Sequence, residues 1–172
     1  MNTRNLTTRT LSLLLVLLMV FCMVPMQAFA ADNAADLPTG SEETVTYSRV
    51  TSISNGNEYV ITMYSCGLYY VLSHANNTLT PVEITVSDNE IDSEITEDML
   101  WTMKNNKLTY EDGGKTYNLY GKANSLTVST SKSSKVTFKN CKLKLDTVHL
   151  QYANGKLTAN TIGTTVNMFA AQ

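Results

Sequence analysis

One nine-residue phrase occurs three times in this chain of 172 residues. It reads LSHANNTLT at 72–80, LYGKANSLT at 119–127 and LQYANGKLT at 150–158, so each copy has Leu, six mostly polar residues and then Leu-Thr. Repetition of this length indicates structural units that bury their apolar faces by packing against one another. The phrase therefore predicts a fold built from three related units.

The residues before each phrase predict β-strands. Two residues before the first leucine of each phrase stand Tyr70, Tyr117 and Val148. Farther upstream, apolar residues alternate with polar ones in three pairs, which are Ile61 and Met63, Leu108 and Tyr110, and Leu143 and Leu145. Alternation with a period of two is typical of half-buried strands, and no window beyond the first thirty residues keeps the 3.6-residue period of an amphipathic helix.

An aromatic residue closes each unit, and these residues are Trp101, Phe138 and Phe169. The units are predicted at about 45–101, 102–138 and 139–169, each with strands joined by turns. The first unit is longer because it contains the acidic stretch VEITVSDNEIDSEITED, which is expected to be a solvated insertion. Trp101 and Phe138 are expected to lie in a shared core.

Three four-stranded units that close on one another resemble the β-trefoil fold, and loosely its ricin-type lectin branch. Units of that family commonly end in Gln, any residue, Trp. The matching final positions here are Trp101, Phe138 and Phe169, and the Gln position holds Met99, Val136 and Asn167. The resemblance implies an all-β fold in which a barrel is capped by three hairpins. An antiparallel β-barrel or a β-sandwich with chance spacing is the alternative.

Residues 1–30 have the pattern of a cleavable signal peptide. Arg4 and Arg9 precede an apolar run, and the small residues Ala28 and Ala30 frame a cleavage site. A membrane anchor is the alternative interpretation, but the run is short for a membrane span. We therefore expect a secreted, extracellular bacterial protein with no membrane span after the signal is removed.

The remaining chain divides into a leader and one domain. Residues 31–44 are small, polar and acidic, as in a flexible segment, and 45–172 are expected to form a single β domain. Cys66 and Cys141 remain after processing. An exported chain can join two cysteines in a disulfide or keep them as half-buried thiols, and both alternatives stay open.

Charge is distributed unevenly along the chain. Residues 31–101 contain twelve acids and one arginine, whereas 102–172 contain ten lysines and three acids. The domain as a whole is not basic, which argues against nucleic acid as a partner. The lysines expected to form a positive patch are Lys122, Lys132, Lys135, Lys139, Lys142 and Lys144. Such a patch would favour an anionic cell-wall polymer; alternatively, the lysines keep strand edges from pairing.

No catalytic or metal-binding motif is found. The two histidines, His74 and His149, have no nucleophile motif around them and are expected to be surface residues, so the protein is predicted not to be an enzyme. Carboxylates alternate in the acidic stretch at Asp88, Glu90, Asp92 and Glu94, but Ser93 stands where a calcium loop needs glycine. No metal and no cofactor are therefore expected.

A binding surface remains as the predicted functional feature. Tyr and Asn recur in the three polar links, at Asn76, Asn77, Tyr120, Asn124, Tyr152 and Asn154. Such residues can stack on a sugar ring and bind its hydroxyl groups, although Asn also serves turn geometry alone. The sequence predicts a secreted, non-catalytic binding module for carbohydrate or a cell-surface polymer. The alternative is a structural or inhibitory domain that binds a protein in a surface complex.

Overall fold

The computed structural model describes residues 45–172, so the predicted signal peptide and leader lie outside the described residues. Apart from two 3₁₀ turns, Ala75–Asn77 and Glu97–Met99, the regular structure of this part is all β-strand. The strands are β1 (Tyr47–Val50), β2 (Glu58–Ser65), β3 (Leu68–Ser73), β4 (Thr80–Ile84), β5 (Val86–Ser87), β6 (Glu90–Ile91), β7 (Leu100–Lys104), β8 (Lys107–Asp112), β9 (Lys115–Lys122), β10 (Ser125–Ser129), β11 (Val136–Lys139), β12 (Lys142–Leu145), β13 (Val148–Ala153), β14 (Lys156–Asn160) and β15 (Val166–Ala171). The predicted all-β class is confirmed.

The strands pair in antiparallel ladders, most of them between near neighbours in sequence. Three meanders have the same form: β2–β3–β4, β8–β9–β10 and β12–β13–β14. The strands β7, β11 and β15 follow the three meanders in turn. β7 pairs with β2 and β8, β11 pairs with β12, and β15 pairs with both β1 and β2. The ladders form one eleven-stranded sheet and one four-stranded sheet.

Two-residue turns with positive φ join many of these strands. Both central residues have positive φ in six hairpins, at Cys66–Gly67, Asp88–Asn89, Asn105–Asn106, Gly113–Gly114, Asn140–Cys141 and Asn154–Gly155. Such turns match the right-handed twist of the paired strands, and Asn, Asp and Gly adopt them at the lowest energy. Turn geometry therefore accounts for much of the asparagine in this chain.

The main core follows the alternation read from the sequence. All six residues of the predicted pairs are buried in it, namely Ile61, Met63, Leu108, Tyr110, Leu143 and Leu145. The first leucines of the three phrases, Leu72, Leu119 and Leu150, have no exposed surface. Trp101 is buried in the same core, as predicted, whereas Phe138 is only partly buried against it.

A second core lies on the other side of β2 and β15. It is formed by Val60, Val71, Ile84, Ile91, Met99 and Phe169. Phe169 belongs here, while its neighbour Met168 is in the main core. Successive side chains of a strand point to opposite faces, so Met168 faces the main core together with Val166, and the aromatic residue does not.

The acidic stretch is not simply a solvated insertion. Its carboxylates at Asp88, Glu90, Asp92 and Glu94 are exposed, but the β5–β6 hairpin buries Ile91 in the second core. The hairpin is tied to the sheet because the Arg49 N–H donates to the Asn89 carbonyl oxygen over 2.9 Å. The stretch therefore covers an apolar sheet face with its aliphatic residues and presents its charges to water.

Cys66 and Cys141 are free thiols. Each occupies a hairpin turn, Cys66 between β2 and β3 and Cys141 between β11 and β12, and both have positive φ. Cys66 is exposed and Cys141 is partly buried, with its Sγ 3.4 Å from a guanidinium nitrogen of Arg49. The expected pair of half-buried thiols is thus correct for Cys141 alone.

Candidate functional site

An open cleft of about 610 Å³ lies where β7 and β8 meet the two 3₁₀ turns. It is lined by Glu58, His74, Ala75, Asn76, Glu97, Asp98, Leu100, Thr102, Tyr110, Glu111 and Asp112. Five of these residues carry carboxylates, and the lining contains neither lysine nor arginine. The cleft therefore has a negative potential that favours ligands rich in hydrogen-bond donors.

Long-range strand pairing assembles this cleft. In the β2–β7 ladder Glu58 lies opposite Thr102, whose hydroxyl is 3.4 Å from a carboxylate oxygen of Glu58. The end of β3 is held to the second 3₁₀ turn because the His74 N–H donates to the Asp98 carbonyl oxygen over 2.8 Å. The cleft residues thus come from four separate parts of the chain.

A stack of rings lies at the cleft, and two of its members, His74 and Tyr110, line it. The imidazole of His74 lies parallel to the Tyr110 ring with centroids 3.6 Å apart, and Tyr117 stacks on Tyr110 at 5.1 Å. Trp101 meets both His74 and Tyr110 edge-on, at 5.0 and 5.5 Å. Such arrangements stabilise aromatic contacts and fix the rings. Tyr110 is 6% exposed, so little of its ring is free to contact a ligand.

Hydrogen bonds connect the ring stack to the acidic rim. The Tyr110 hydroxyl donates to Asn77 Oδ1 over 2.8 Å, and Asn77 Nδ2 donates to Asp112 Oδ2 over 3.0 Å. His74 Nε2 lies 3.0 Å from the Leu100 carbonyl oxygen. A carbonyl oxygen only accepts, so Nε2 carries the proton of the neutral imidazole. His74 therefore cannot use Nε2 to take a proton from a ligand hydroxyl while this bond is present.

Asp98 is fixed at the mouth of the cleft by hydroxyl groups. Its carboxylate accepts hydrogen bonds from the hydroxyls of Ser73 and Thr96, and Ser73 is fully buried. These two bonds hold the pKa of Asp98 below its usual range. Asp98 is therefore a carboxylate at neutral pH, and it supplies a fixed negative charge.

Burial changes the protonation behaviour of the ring stack. It lowers the pKa of His74 from the usual value for histidine, and it raises the pKa of Tyr110 to about 12. Both rings are consequently uncharged at neutral pH. The site combines a neutral, rigid aromatic wall with a rim of carboxylates.

The pKa shifts of His74 and Asp98 predict how the stability of the fold depends on pH. The lowered pKa of His74 means that the unfolded chain binds the proton more readily, so the free energy of unfolding should fall as pH drops through about 6.5. For one proton the slope is at most about 1.4 kcal/mol per pH unit. His74→Phe keeps an aromatic ring and should flatten this slope in urea titrations between about pH 7.5 and 5. Asp98 should produce a separate loss below about pH 4, because its lowered pKa stabilises the fold only above that range.

His149→Gln is the control for this prediction, since it also removes one histidine. Equal flattening in both variants, or an unchanged slope in His74→Phe, would contradict the assignment to His74. The sequence-based expectation that His74 is a surface residue is wrong, because its side chain is 8% exposed.

Of the six predicted binding residues, two are at the cleft. Asn76 is exposed in its lining, and Asn77 is half-buried within its hydrogen-bond network. Tyr120 is half-buried on β9, with the Lys132 ammonium 5.7 Å from its ring centroid.

The other three occupy different parts of the fold. Asn124 and Asn154 are exposed turn residues with positive φ. Tyr152 is buried in the main core, with its ring 4.8 Å from that of Tyr70. Its ring is therefore packed against protein rather than open to a ligand.

Sequence reasoning did not find the acidic members of the cleft. Glu58, Glu111 and Asp112 lie at strand ends and have no motif around them. The single available signal was the placement of Glu111 and Asp112 directly after the buried Tyr110, because a strand that ends in charged residues usually reaches the surface there.

Within residues 45–172, no group of three or more His, Cys, Asp or Glu side chains is arranged to hold a metal ion. The same part of the chain has no helix with the length and apolarity needed to cross a membrane. Comparison of the chain with protein-family models, curated proteins and solved structures found no match. The geometry of the cleft is thus the basis for inferring a function.

Proposed function

We propose that this protein is a non-catalytic carbohydrate-binding module whose saccharide site is the acidic cleft. The observation that carries the proposal is the rim of carboxylates on a rigid aromatic wall, in a cleft without lysine or arginine in its lining. Sugar hydroxyls donate hydrogen bonds, and bonds to charged acceptors are stronger than those between neutral groups. A neutral or amino-bearing sugar chain supplies the hydrogen-bond donors that these carboxylates can accept.

The carboxylates of the rim have partners that leave acceptor capacity for a ligand. Those of Glu58, Glu111 and Asp112 contact uncharged groups, which are the Thr102 and Thr116 hydroxyls and the Asn77 amide. An ionised carboxylate has about four lone-pair directions, so one such contact leaves further acceptor sites. The exposed Asn76 amide adds both a donor and an acceptor at the same rim.

A binding role suits the cleft better than a catalytic one. His74 is the base of the cleft, and the cleft lining contains no serine or cysteine that it could activate. Nucleophilic catalysis needs a nucleophile within hydrogen-bond reach of its base. The proposal also includes secretion, which is supported by the signal-like sequence of residues 1–30.

The proposal extends to the closure of the fold as a β-trefoil. Two hydrogen bonds support closure beyond the strand ladders: the Val136 N–H donates to the Asn106 carbonyl oxygen, and the Val166 N–H donates to the Cys141 carbonyl oxygen, each over 2.8 Å. The first joins the start of β11 to the turn before β8, and the second joins the start of β15 to the turn before β12. With the ladders, they connect β2, β7, β8, β11, β12 and β15 into a ring of six strands.

A protein partner is the second candidate function. It is favoured by the tip of the β2–β3 hairpin, where Tyr64 and Leu68 are exposed and Tyr64 packs on Tyr69 at a centroid distance of 4.9 Å. Exposed aromatic side chains are enriched in protein interfaces. Absence of glycan binding by the full chain would favour this candidate over the saccharide site.

The test is glycan-array binding by the full chain, followed by titration of the best glycan. Glu58→Gln combined with Glu111→Gln should weaken binding about tenfold or more, because each substitution replaces a charged acceptor with a neutral one. Asn76→Gly removes the amide and tolerates the positive φ of this position. Glu83→Gln is the control, since Glu83 is exposed on β4 outside the cleft lining. Absence of glycan binding, or equal losses in all variants, would overturn the proposal.

A further inference from the structure

A row of cationic side chains covers one face of the β11–β12–β13 sheet. Lys139 and Lys142 lie directly opposite each other, and Lys144 lies between Thr137 on β11 and His149 on β13. The opposite face of the same strands is apolar and belongs to the main core. The alternation of these strands therefore places three ammonium groups on one outer surface.

These residues line a cleft of about 440 Å³, which is separate from the acidic cleft. Its lining consists of Thr137, Lys139, Asn140, Lys142, Lys144 and His149. A neighbouring depression of about 420 Å³ continues along the same strands and adds Lys135. The acid at that end, Asp146, accepts a hydrogen bond from the Lys135 backbone N–H over 2.9 Å, so its carboxylate is engaged with the main chain.

The lysine face carries repulsion that no carboxylate in the cleft lining relieves. Like charges directly opposite each other on paired strands are destabilising, and the lining of the cleft contains no carboxylate. The Lys142 ammonium is held at one side by the carbonyl oxygens of Ile162 and Gly163. In addition, His149 Nδ1 is buried without a hydrogen-bond partner. The arrangement offers fixed positive charge together with neutral donors from Thr137 and Asn140.

We propose that this lysine face, formed by Thr137, Lys139, Asn140, Lys142, Lys144 and His149, is a binding site for a polymer with repeating phosphate groups. Lysine binds phosphate as a point charge, and the Thr hydroxyl and Asn amide add hydrogen bonds to phosphate oxygens. The two adjoining depressions suit an extended chain rather than a single ion. The lining contains no Phe, Tyr or Trp on which a base could stack, which argues against a single-stranded nucleic acid. This site is independent of the saccharide site proposed above.

The test measures polyphosphate binding to the full chain at increasing salt. Lys139→Gln combined with Lys144→Gln should weaken binding at low salt about tenfold or more, and it should reduce the slope of log K against log salt concentration by one to two, roughly the number of charges removed. Lys142 stays unchanged because it contacts the backbone. Each single variant is measured as well, so that one unfolded double variant does not decide the result.

The β7–β8 hairpin provides a matched control. Lys104 and Lys107 also lie opposite each other, so Lys104→Gln combined with Lys107→Gln removes the same charge from a similar turn. This control should change the affinity less than twofold. Equal losses in both double variants, binding that is indifferent to salt, or no binding at low salt would overturn the proposal.

Two further comparisons test whether the site prefers phosphate and whether it is independent of the acidic cleft. Polygalacturonate carries carboxylates in place of phosphates, and we expect it to bind more weakly than polyphosphate of equal charge. Tighter binding of polygalacturonate would contradict the assignment to phosphate, and tighter binding of an oligonucleotide would contradict the assignment to a polymer without bases. The double variant of the acidic cleft, Glu58→Gln with Glu111→Gln, should retain polyphosphate binding, so failure of one proposal is distinguishable from failure of the other.

Discussion

Replacing Trp101 with alanine should lower the free energy of unfolding by about 3–5 kcal/mol. The side chain is fully buried in the main core, and its indole N–H donates to the Leu72 carbonyl oxygen over 2.8 Å. Leu72 lies opposite Pro81, which has no N–H to offer. Removal of the indole therefore leaves a large cavity and takes away the donor for a buried carbonyl. A urea titration with linear extrapolation measures the loss.

Two further variants separate the contributions of this residue. Trp101→Phe keeps most of the apolar volume but cannot donate to Leu72, so its loss should be smaller, on the order of 1–3 kcal/mol. Tyr64→Ala removes an aromatic ring that is 45% exposed and should change stability by less than about 0.5 kcal/mol. A loss of unfolding free energy below about 1 kcal/mol for Trp101→Ala would contradict the assignment of this residue to the core.

Replacing Phe169 with alanine should also lower the free energy of unfolding by about 3–5 kcal/mol, for a different reason. Phe169 is 1% exposed in the second core, which contains Ile91 of the acidic stretch and Met99, the residue that directly follows the stretch. A cavity at this position weakens the packing of that stretch on the sheet. Amide hydrogen exchange within residues 85–99 should therefore rise more in Phe169→Ala than in Trp101→Ala.

The comparison of these two variants tests whether the protein has two cores. If exchange in residues 85–99 rises equally in both, the acidic stretch opens only with global unfolding and the second core has no separate role. Met99→Ala changes another residue of the same cluster, and it should produce the same local increase in hydrogen exchange. No increase in either variant would mean that the β5–β6 hairpin is held by its backbone bonds alone.

The strand content and much of the main core could be predicted from sequence, because alternation is a local property. Ile61 with Met63 and Leu143 with Leu145 were placed on one strand face each, and the structure buries all four. The period of two follows from the backbone geometry of a single strand. Trp101 was placed in the core because it closes a repeat unit among aliphatic neighbours, and the structure buries it.

The closing residue of the last strand shows where local reasoning ends. Phe169 was aligned with Trp101 as the aromatic residue that closes a repeat unit, but Met168 faces the main core and Phe169 faces the second one. A shift of one residue reverses the face of a strand. Sequence patterns could not reveal this shift, because the second core exists only where the acidic stretch folds back over β2 and β15.

The acidic cleft could not be predicted for a similar reason. Asn76 and Asn77 were selected as binding residues, but His74 was expected at the surface and Glu58, Glu111 and Asp112 were not considered. Glu58 meets Thr102 through the β2–β7 ladder, and Asn77 of the first 3₁₀ turn meets Asp112 at the end of β8. These contacts join residues far apart in the chain, whose spacing carries no periodic signal.

The sequence by itself determined that residues 45–172 fold as antiparallel strands with asparagine-rich turns, because strand alternation and positive-φ turns depend on neighbouring residues alone. It also placed most of the lysines in the second half of the chain. Only the tertiary structure decided that Lys139, Lys142 and Lys144 share one face with His149, and that five carboxylates gather around His74 and Tyr110. The reason is that strand register and long-range pairing select which faces meet, and both are set by packing of the whole core rather than by any short segment.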